Sequence, residues 1–269
     1  MCFSDINPTF ILLMKFIKKV LFKIFSERLY FRIVSRFFFI FYFSGLLKFF
    51  DRFKMHYFVS KLIRPGDTVI DIGANLGYYT RIFSGATGDN GIVWAVEPIP
   101  LYREILKRNT HKFTNIIILP YALGDRESEE EMGIPGDDQY RHGLTRILKS
   151  NEQSNNNTMR VEVKTPEALF GNIDVIHYIK CDIEGYENKV LPGFIKIIKR
   201  DKPVVQIEID PANRDFINSI MTGEGYSSFV LSKKGLKKIS VSEEFKDDIL
   251  YLHDERHNQT MSLINNHIS

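Results

Sequence analysis

The sequence predicts an α/β fold, a doubly wound and mostly parallel sheet preceded by an N-terminal helical extension. Three observations carry this. From residue 65 onward, short apolar runs alternate with helical segments, the texture of parallel strands covered on both faces. A glycine-containing loop sits where the first of these runs gives way to a helix. The first 64 residues differ in kind: they hold twelve Lys and Arg against three acids, and 15 of the chain's 22 phenylalanines. Their net charge of +9, within a total of +3, leaves −6 for the other 205 residues. Such a contrast predicts attraction of the front end to a negatively charged surface.

A chain of 269 residues suits one large domain with an appendage. The composition divides it into a basic aromatic extension (1–60), an α/β domain (61–255) and a polar tail (256–269). Only Cys2 and Cys181 are present, which excludes a disulfide framework, a zinc ribbon and a redox pair, and points to a reducing, cytoplasmic compartment.

In the extension, the apolar runs at 10–14 and 37–43 fall short of the ~20 residues a membrane span requires. No basic stretch precedes Phe10 and no small-residue cleavage site follows, so a secretory signal is not expected. Leu13, Phe16, Ile17, Val20, Leu21, Ile24 and Phe25 recur at helical spacing, with Lys15, Lys18, Lys19 and Lys23 on the other side. This pattern predicts peripheral contact with an anionic membrane on its cytoplasmic face through residues 10–60. A helical lid packed on the body and a partner-protein surface are the alternatives. The aromatics form a continuous greasy face rather than spaced stacking platforms, so nucleic acid is not an expected partner.

The body opens with the turn Pro65-Gly66-Asp67 and a buried strand at 68–72. A helix follows from Leu76 to about Ser84, then a strand at 92–96, a helix at 101–108 and a strand at 116–119. Further strands are expected at 175–181 and 204–209, separated by a helix through Leu191 and Ile198. A closing pair at Val230 and 250–252 follows a helix near 212–222. Residues 135–158, with Pro135-Gly136-Asp137-Asp138 and an Asn-rich stretch, read as a long excursion outside the core. In sheets of this kind ligands bind beyond the carboxyl ends of the strands, where strand order reverses.

There lies Asp71-Ile72-Gly73-Ala74-Asn75-Leu76-Gly77. Gly73 and Gly77 let the backbone approach a ligand, and the helix start offers unpaired N–H groups. Glu97, 20 residues past Gly77, closes the second strand and is placed to accept hydrogen bonds from ribose hydroxyls. Glycine loop plus acid is common to nicotinamide and S-adenosylmethionine sites. Asp71 favours the latter, because a carboxylate there suits the amino group of a methionine moiety and would repel a pyrophosphate.

These stretches resemble the FkbM-type methyltransferases, class I S-adenosylmethionine-dependent enzymes. The resemblance runs from Pro65-Gly66-Asp67 and the glycine loop through Val96-Glu97-Pro98 and Ala122-Leu123-Gly124-Asp125. It continues with Ile179-Lys180-Cys181-Asp182-Ile183-Glu184-Gly185-Tyr186-Glu187 and Gln206-Ile207-Glu208, spanning roughly 62–253. It implies a Rossmann-like sheet of seven strands and S-adenosylmethionine as cofactor. Asp71, Gly73, Asn75 and Gly77 would line its methionine end, Glu97 its ribose, and Ala122 or Leu123 its adenine. Cys181, where the family more often has an aliphatic residue, reads as a core strand residue.

Asp182, Glu184 and Glu208 are expected at one rim, where carboxylates would favour a sulfonium, accept a proton or hold hydroxyls. Asp182 or Glu208 is the expected general base, with Glu184 orienting a hydroxyl or, alternatively, capping the next helix. Glu187 reads as first-turn helix charge. Oxygen ligands alone would also suit a divalent ion at Asp182, Glu184 and Glu208, but no metal is expected. His142, in the excursion beside Arg141 and Arg146, is a candidate proton shuttle. The resulting expectation is O-methylation of a hydroxyl on a carbohydrate or glycolipid acceptor, the sugar being the family's tendency. A scaffold that keeps the fold without turnover and a nicotinamide-dependent oxidoreductase are the competing readings.

Overall fold

A computed structural model describes residues 20, 22, 24–133, 146–147, 158–232, 235–240 and 248–256. Strand β1 (Thr68–Ile72) is central. It pairs in parallel with β2 (Ile92–Val96) on one side and β8 (Tyr178–Cys181) on the other. β2 continues to β3 (Ile116–Leu119), and β8 to β9 (Val204–Ile207), all parallel. Strand order therefore runs in opposite directions from β1 and β8, and the carboxyl ends of these strands form the switch point where a ligand crevice opens. The run Thr-Val-Ile-Asp-Ile suits this place because a strand covered on both faces needs apolar side chains on both, and Val69, Ile70 and Ile72 are all buried.

Beyond β9 the sheet turns antiparallel through β12 (Ile249–His253), β10 (Tyr226–Ser232) and β11 (Gly235–Lys238). Among the described residues the order is β11-β10-β12-β9-β8-β1-β2-β3, eight strands. The strand beyond the expected seven is β11, a polar edge segment Gly-Leu-Lys-Lys whose pairing comes from its hairpin with β10 rather than from an apolar run of its own.

A smaller sheet, in the order β4-β7-β5-β6, holds β4 (Ala122–Leu123), β5 (Ser128–Gly133), β6 (Arg146–Ile147) and β7 (Met159–Lys164). It corrects the reading of 135–158 as wholly outside the core, since Ile147 is a buried strand residue. The rest of that stretch, including His142, lies outside the described residues.

In the extension, helix α1 (Glu27–Phe43) starts at Ser26, whose hydroxyl accepts the Leu29 N–H at 3.4 Å. One face packs on the body. Tyr30 and Phe31 are buried with Ile99, Tyr102 and Ile105 and with the small sheet's Met132, Ile147 and Val161. Arg28 and Arg32 reach Glu104. Helix α2 (Lys54–Phe58) is seated more deeply, with Met55 and Phe58, and Val59 just after it, in one cluster with Val69, Phe83, Val204 and Leu250. The described extension is thus part of the body's core on one side, as the lid reading expects. Among the described residues no helix is long and apolar enough to cross a membrane.

Helices α3 (Tyr78–Thr87), α4 (Pro100–Thr110), α5 (Pro166–Phe170), α6 (Glu187–Val190), α7 (Ile195–Asp201) and α8 (Arg214–Gly223) connect the strands. Cys181 belongs to the main core cluster, where burial drives its thiol well above the ordinary value, as a core residue should behave.

Candidate functional site

The loop leaving β1 is shaped by left-handed residues at every second position, Gly73 (φ 75°), Asn75 (φ 51°) and Gly77 (φ 84°). The N–H groups of Gly73 and Ala74 both donate to the Val96 carbonyl, binding the loop to the end of β2. At Gly73 a side chain is sterically impossible: a Cβ would lie 1.9 Å from the Asp182 carbonyl oxygen at the end of β8. Gly77 serves packing instead. It starts α3, and a Cβ there would lie 3.1 Å from Leu106 of α4.

Glu97 ends β2 almost fully buried. One carboxylate oxygen accepts the Asn75 N–H and the other the Ile99 N–H, both at 2.8 Å. Burial pushes its carboxyl up to about 7, against the pull of those two N–H groups and of Arg103, with Asp71 adding to the rise. Each oxygen retains acceptor capacity toward the crevice.

That crevice is a cavity of about 220 Å³. It is lined by the expected Gly73, Asn75, Glu97, Ala122 and Leu123 together with Asp182, Glu184 and Glu208. A second cavity, about 340 Å³, shares Gly73, Asn75, Asp182 and Glu208 with the first and continues past them to Asp71, Lys180 and Asp248. Its outer wall comes from the extension, through Asp51, Arg52, Lys54 and His56. Asp71 therefore lies in the second chamber; its Oδ2 accepts the Thr80 hydroxyl at 2.6 Å, and its buried Oδ1 has no hydrogen-bond partner among the described residues. Gly77 lines neither cavity among the described residues.

Lys180 organises the charges. It is buried, donates to Asp182 Oδ2 at 2.9 Å, and stands 4.7 Å from the centre of the Tyr79 ring. Burial alone would lower its ammonium, but Asp182, Asp71 and Asp248 hold it above the ordinary value. Asp248 accepts from Gln206 at 2.6 Å and from the Tyr79 hydroxyl at 3.4 Å. Glu208 remains open to the cavity at this rim, and partial burial followed by the charges of Asp182 and Asp248 raises its carboxyl to about 8. Glu184 adopts φ 55° in the loop after β8 and lines the first cavity. Glu187 is more than helix-start charge: it is buried and accepts the Gly185 N–H at 2.9 Å, fixing that loop.

Residue reading missed several members. Lys180 carried a signal, a lysine inside an otherwise apolar strand. His56 carried none. Its ring stacks on Tyr79 at 4.2 Å, its buried Nδ1 has no hydrogen-bond partner among the described residues, and burial followed by Lys180 and Arg52 pushes it down to about 3, so it is neutral. Among the described residues no three His, Cys, Asp or Glu are placed to hold a metal ion.

A glycine loop at the switch point with an acid closing the second strand is the arrangement of nucleotide- and nucleoside-binding sites in open α/β sheets. Residues 71–257 match the Methyltransferase FkbM domain, and the chain belongs to that family of S-adenosylmethionine-dependent methyltransferases. A stretch of 80 residues is 32% identical to protein-L-isoaspartate O-methyltransferase 1 of Archaeoglobus fulgidus, covering 29% of this chain and 36% of that one. Methyltransferase FkbM from Methylobacillus flagellatus superposes with a TM-score of 0.49 at 20% identity, over 73% of this chain and 46% of that one. Aeropyrum pernix fibrillarin, solved with natively bound S-adenosyl-L-methionine, gives 0.41 at 13% identity, over 71% and 68%. The chain thus spans 36% of the isoaspartate methyltransferase and under half of the Methylobacillus protein. The family match, rather than these superpositions, carries the assignment.

Proposed function

We propose that the protein moves a methyl group from S-adenosylmethionine to a hydroxyl of a carbohydrate or glycoconjugate seated in the second cavity. The observation that carries this reading is the junction itself: two cavities meet at Gly73 and Asn75, and the wall they share bears Asp182 and Glu208.

The residues present fit the cofactor. Asp71, in the strand that leads into the loop, keeps a buried oxygen with no partner among the described residues, suited to an ammonium, and glycine at 73 lets that loop lie against the Asp182 backbone. Glu97 would take the ribose hydroxyls, Ala122 and Leu123 the adenine, and Gly73 and Asn75 the methionine end. When bound, S-adenosylmethionine supplies a methyl group on a positively charged sulfur. The chain's own task is to place the acceptor oxygen in line and take its proton. Asp182, oriented by Lys180, accepts a hydrogen bond from the acceptor hydroxyl, and Glu208 is the base. With its carboxyl near 8, Glu208 accepts a proton readily from slightly alkaline pH upward. Glu184 holds a neighbouring hydroxyl. A wall of several carboxylates suits a ligand with many hydroxyl donors, which supports the sugar.

The test incubates purified protein and S-adenosylmethionine with glycan and glycolipid extracts, following S-adenosylhomocysteine and acceptor mass together. Products heavier by one methylene and stable to ester hydrolysis support O-methylation of a hydroxyl. Methyl esters, methylamines or no cofactor turnover contradict it.

A further inference from the structure

The packed side of the extension leaves a large apolar surface on its other side. In α1, Leu29, Phe37, Ile40 and Phe41 stand opposite the buried Phe31, Ser35 and Phe39, and all four are exposed. The helix end adds Phe43, and the turns that follow add Leu46, Phe49 and Phe50, with Phe49 74% exposed. Phe37 and Phe41 stack on each other, 6.0 Å between centres. Single exposed apolar residues are ordinary, whereas eight within 22 consecutive residues mark a docking surface.

Charge identifies the occupant. Residues 27–64 carry eight Lys and Arg against Glu27 and Asp51, and Arg36 and Lys48 are exposed among the aromatic positions. Aromatic rings beside cations suit the boundary of an anionic bilayer, where the rings enter the headgroup region and the cations meet phosphates. A second copy would bring the same positive charge against itself. Position adds a second argument: Phe49 and Phe50 are followed directly by Asp51, Arg52 and Lys54, which line the second cavity.

We propose that this face seats the protein on an anionic lipid bilayer and holds the second cavity at headgroup level, so that the acceptor is a polar head carried by a membrane lipid. The acceptor clause rests on the methyl-transfer reading; the membrane contact does not.

The test is flotation of the full chain with phosphatidylcholine vesicles and with vesicles containing phosphatidylglycerol, compared with the triple variant Phe37→Gln/Phe41→Gln/Phe49→Gln and with Arg36→Gln/Lys48→Gln. The expected result is binding to the anionic vesicles, weakened at least about tenfold by either variant and by raised salt. S-adenosylhomocysteine binding, measured on the same preparations, should be unchanged, since these residues line neither cavity. Absence of flotation with a monomeric wild-type protein, as when the chain's own leading residues cover the face, would overturn the proposal. So would a wild-type dimer that the triple variant dissociates without any vesicle binding, or equal binding to neutral vesicles. Intact flotation with no methyl transfer to any lipid would leave the membrane contact standing and sink the acceptor clause.

Discussion

Glu97→Gln probes a carboxylate that holds two backbone N–H groups and is assigned the ribose of the cofactor. Glutamine has the same size, but only one of its two terminal atoms accepts, so its amide nitrogen must face either the Asn75 or the Ile99 N–H. A charge-assisted hydrogen bond from a ribose hydroxyl to this carboxylate is worth about 1.5–3 kcal/mol, so its loss corresponds to roughly 10- to 150-fold in the dissociation constant for S-adenosylhomocysteine. The pH dependence sharpens the expectation. Burial raises the carboxyl from 4.5 to about 7, and the ionised form is the better acceptor for a diol. At one pH unit below that value roughly a tenth of the protein is competent, so wild-type affinity should be about tenfold weaker at pH 6 than at its plateau. Because the folded value lies above the unfolded one, this group's contribution to stability is complete below 4.5 and is lost as pH rises through 7. The variant should lack both dependences. Calorimetry at pH 6, 7 and 8 with thermal unfolding at each pH gives both readings. Unchanged affinity in the variant, or a wild-type profile flat from pH 6 to 8, would refute the ribose assignment.

Gly73→Ala should abolish S-adenosylhomocysteine binding and lower stability by at least ~1–3 kcal/mol, because the new Cβ meets the Asp182 carbonyl at 1.9 Å from a left-handed backbone. Gly85→Ala, in the interior of α3 with nothing within 4 Å, is the control and should stabilise by ~0.5–1 kcal/mol in denaturant titrations. For Glu208→Gln, the turnover rate should fall by about 10²–10⁴-fold and lose the limb that rises toward pH 8 in wild type, as stopped-time assays of S-adenosylhomocysteine would show.

The parallel part of the sheet was legible because each strand needs apolar residues on both faces and each loop needs glycine or a turn. Runs such as Thr-Val-Ile-Asp-Ile and Val-Val-Gln-Ile therefore mark themselves. Its antiparallel edge strand β11 did not, since Lys237 and Lys238 are both exposed there and only the hairpin partner supplies pairing. For the first cavity, local motifs bring residues together: Gly73, Asn75, Glu97, Ala122 and Leu123 all line it. The second cavity is assembled from distant pieces, His56 from the extension and Asp248 from the residue before β12, and no spacing rule links positions 192 residues apart. The extension shows the same limit. Composition exposed its greasy and basic character, but the identity of the buried ring at each turn depends on which face meets α4 and the small sheet.

Lys180 explains how so acidic a site stays folded. Asp71, Asp182 and Asp248 all act on one buried ammonium, and burial pushes the carboxyls of Asp71 and Asp248 upward while Lys180 pulls both back. Lys180→Met keeps the apolar stem and removes the charge, so the carboxylates face one another with no cation between them. Breaking a buried ion pair by removing one partner costs about 3–5 kcal/mol when the remaining charges stay ionised. Protonation relieves this, and the carboxyls of Asp71 and Asp248, already raised, would rise further in the variant. A raised folded value means that stability is complete at acid pH and lost as pH climbs through it. The deficit of Lys180→Met relative to wild type should therefore be small near pH 4 and grow toward pH 8, measured by denaturant unfolding across that range. A deficit that is constant with pH would show that the lysine contributes packing against Tyr79 alone, and that the acids of the second cavity do not depend on it for their charge.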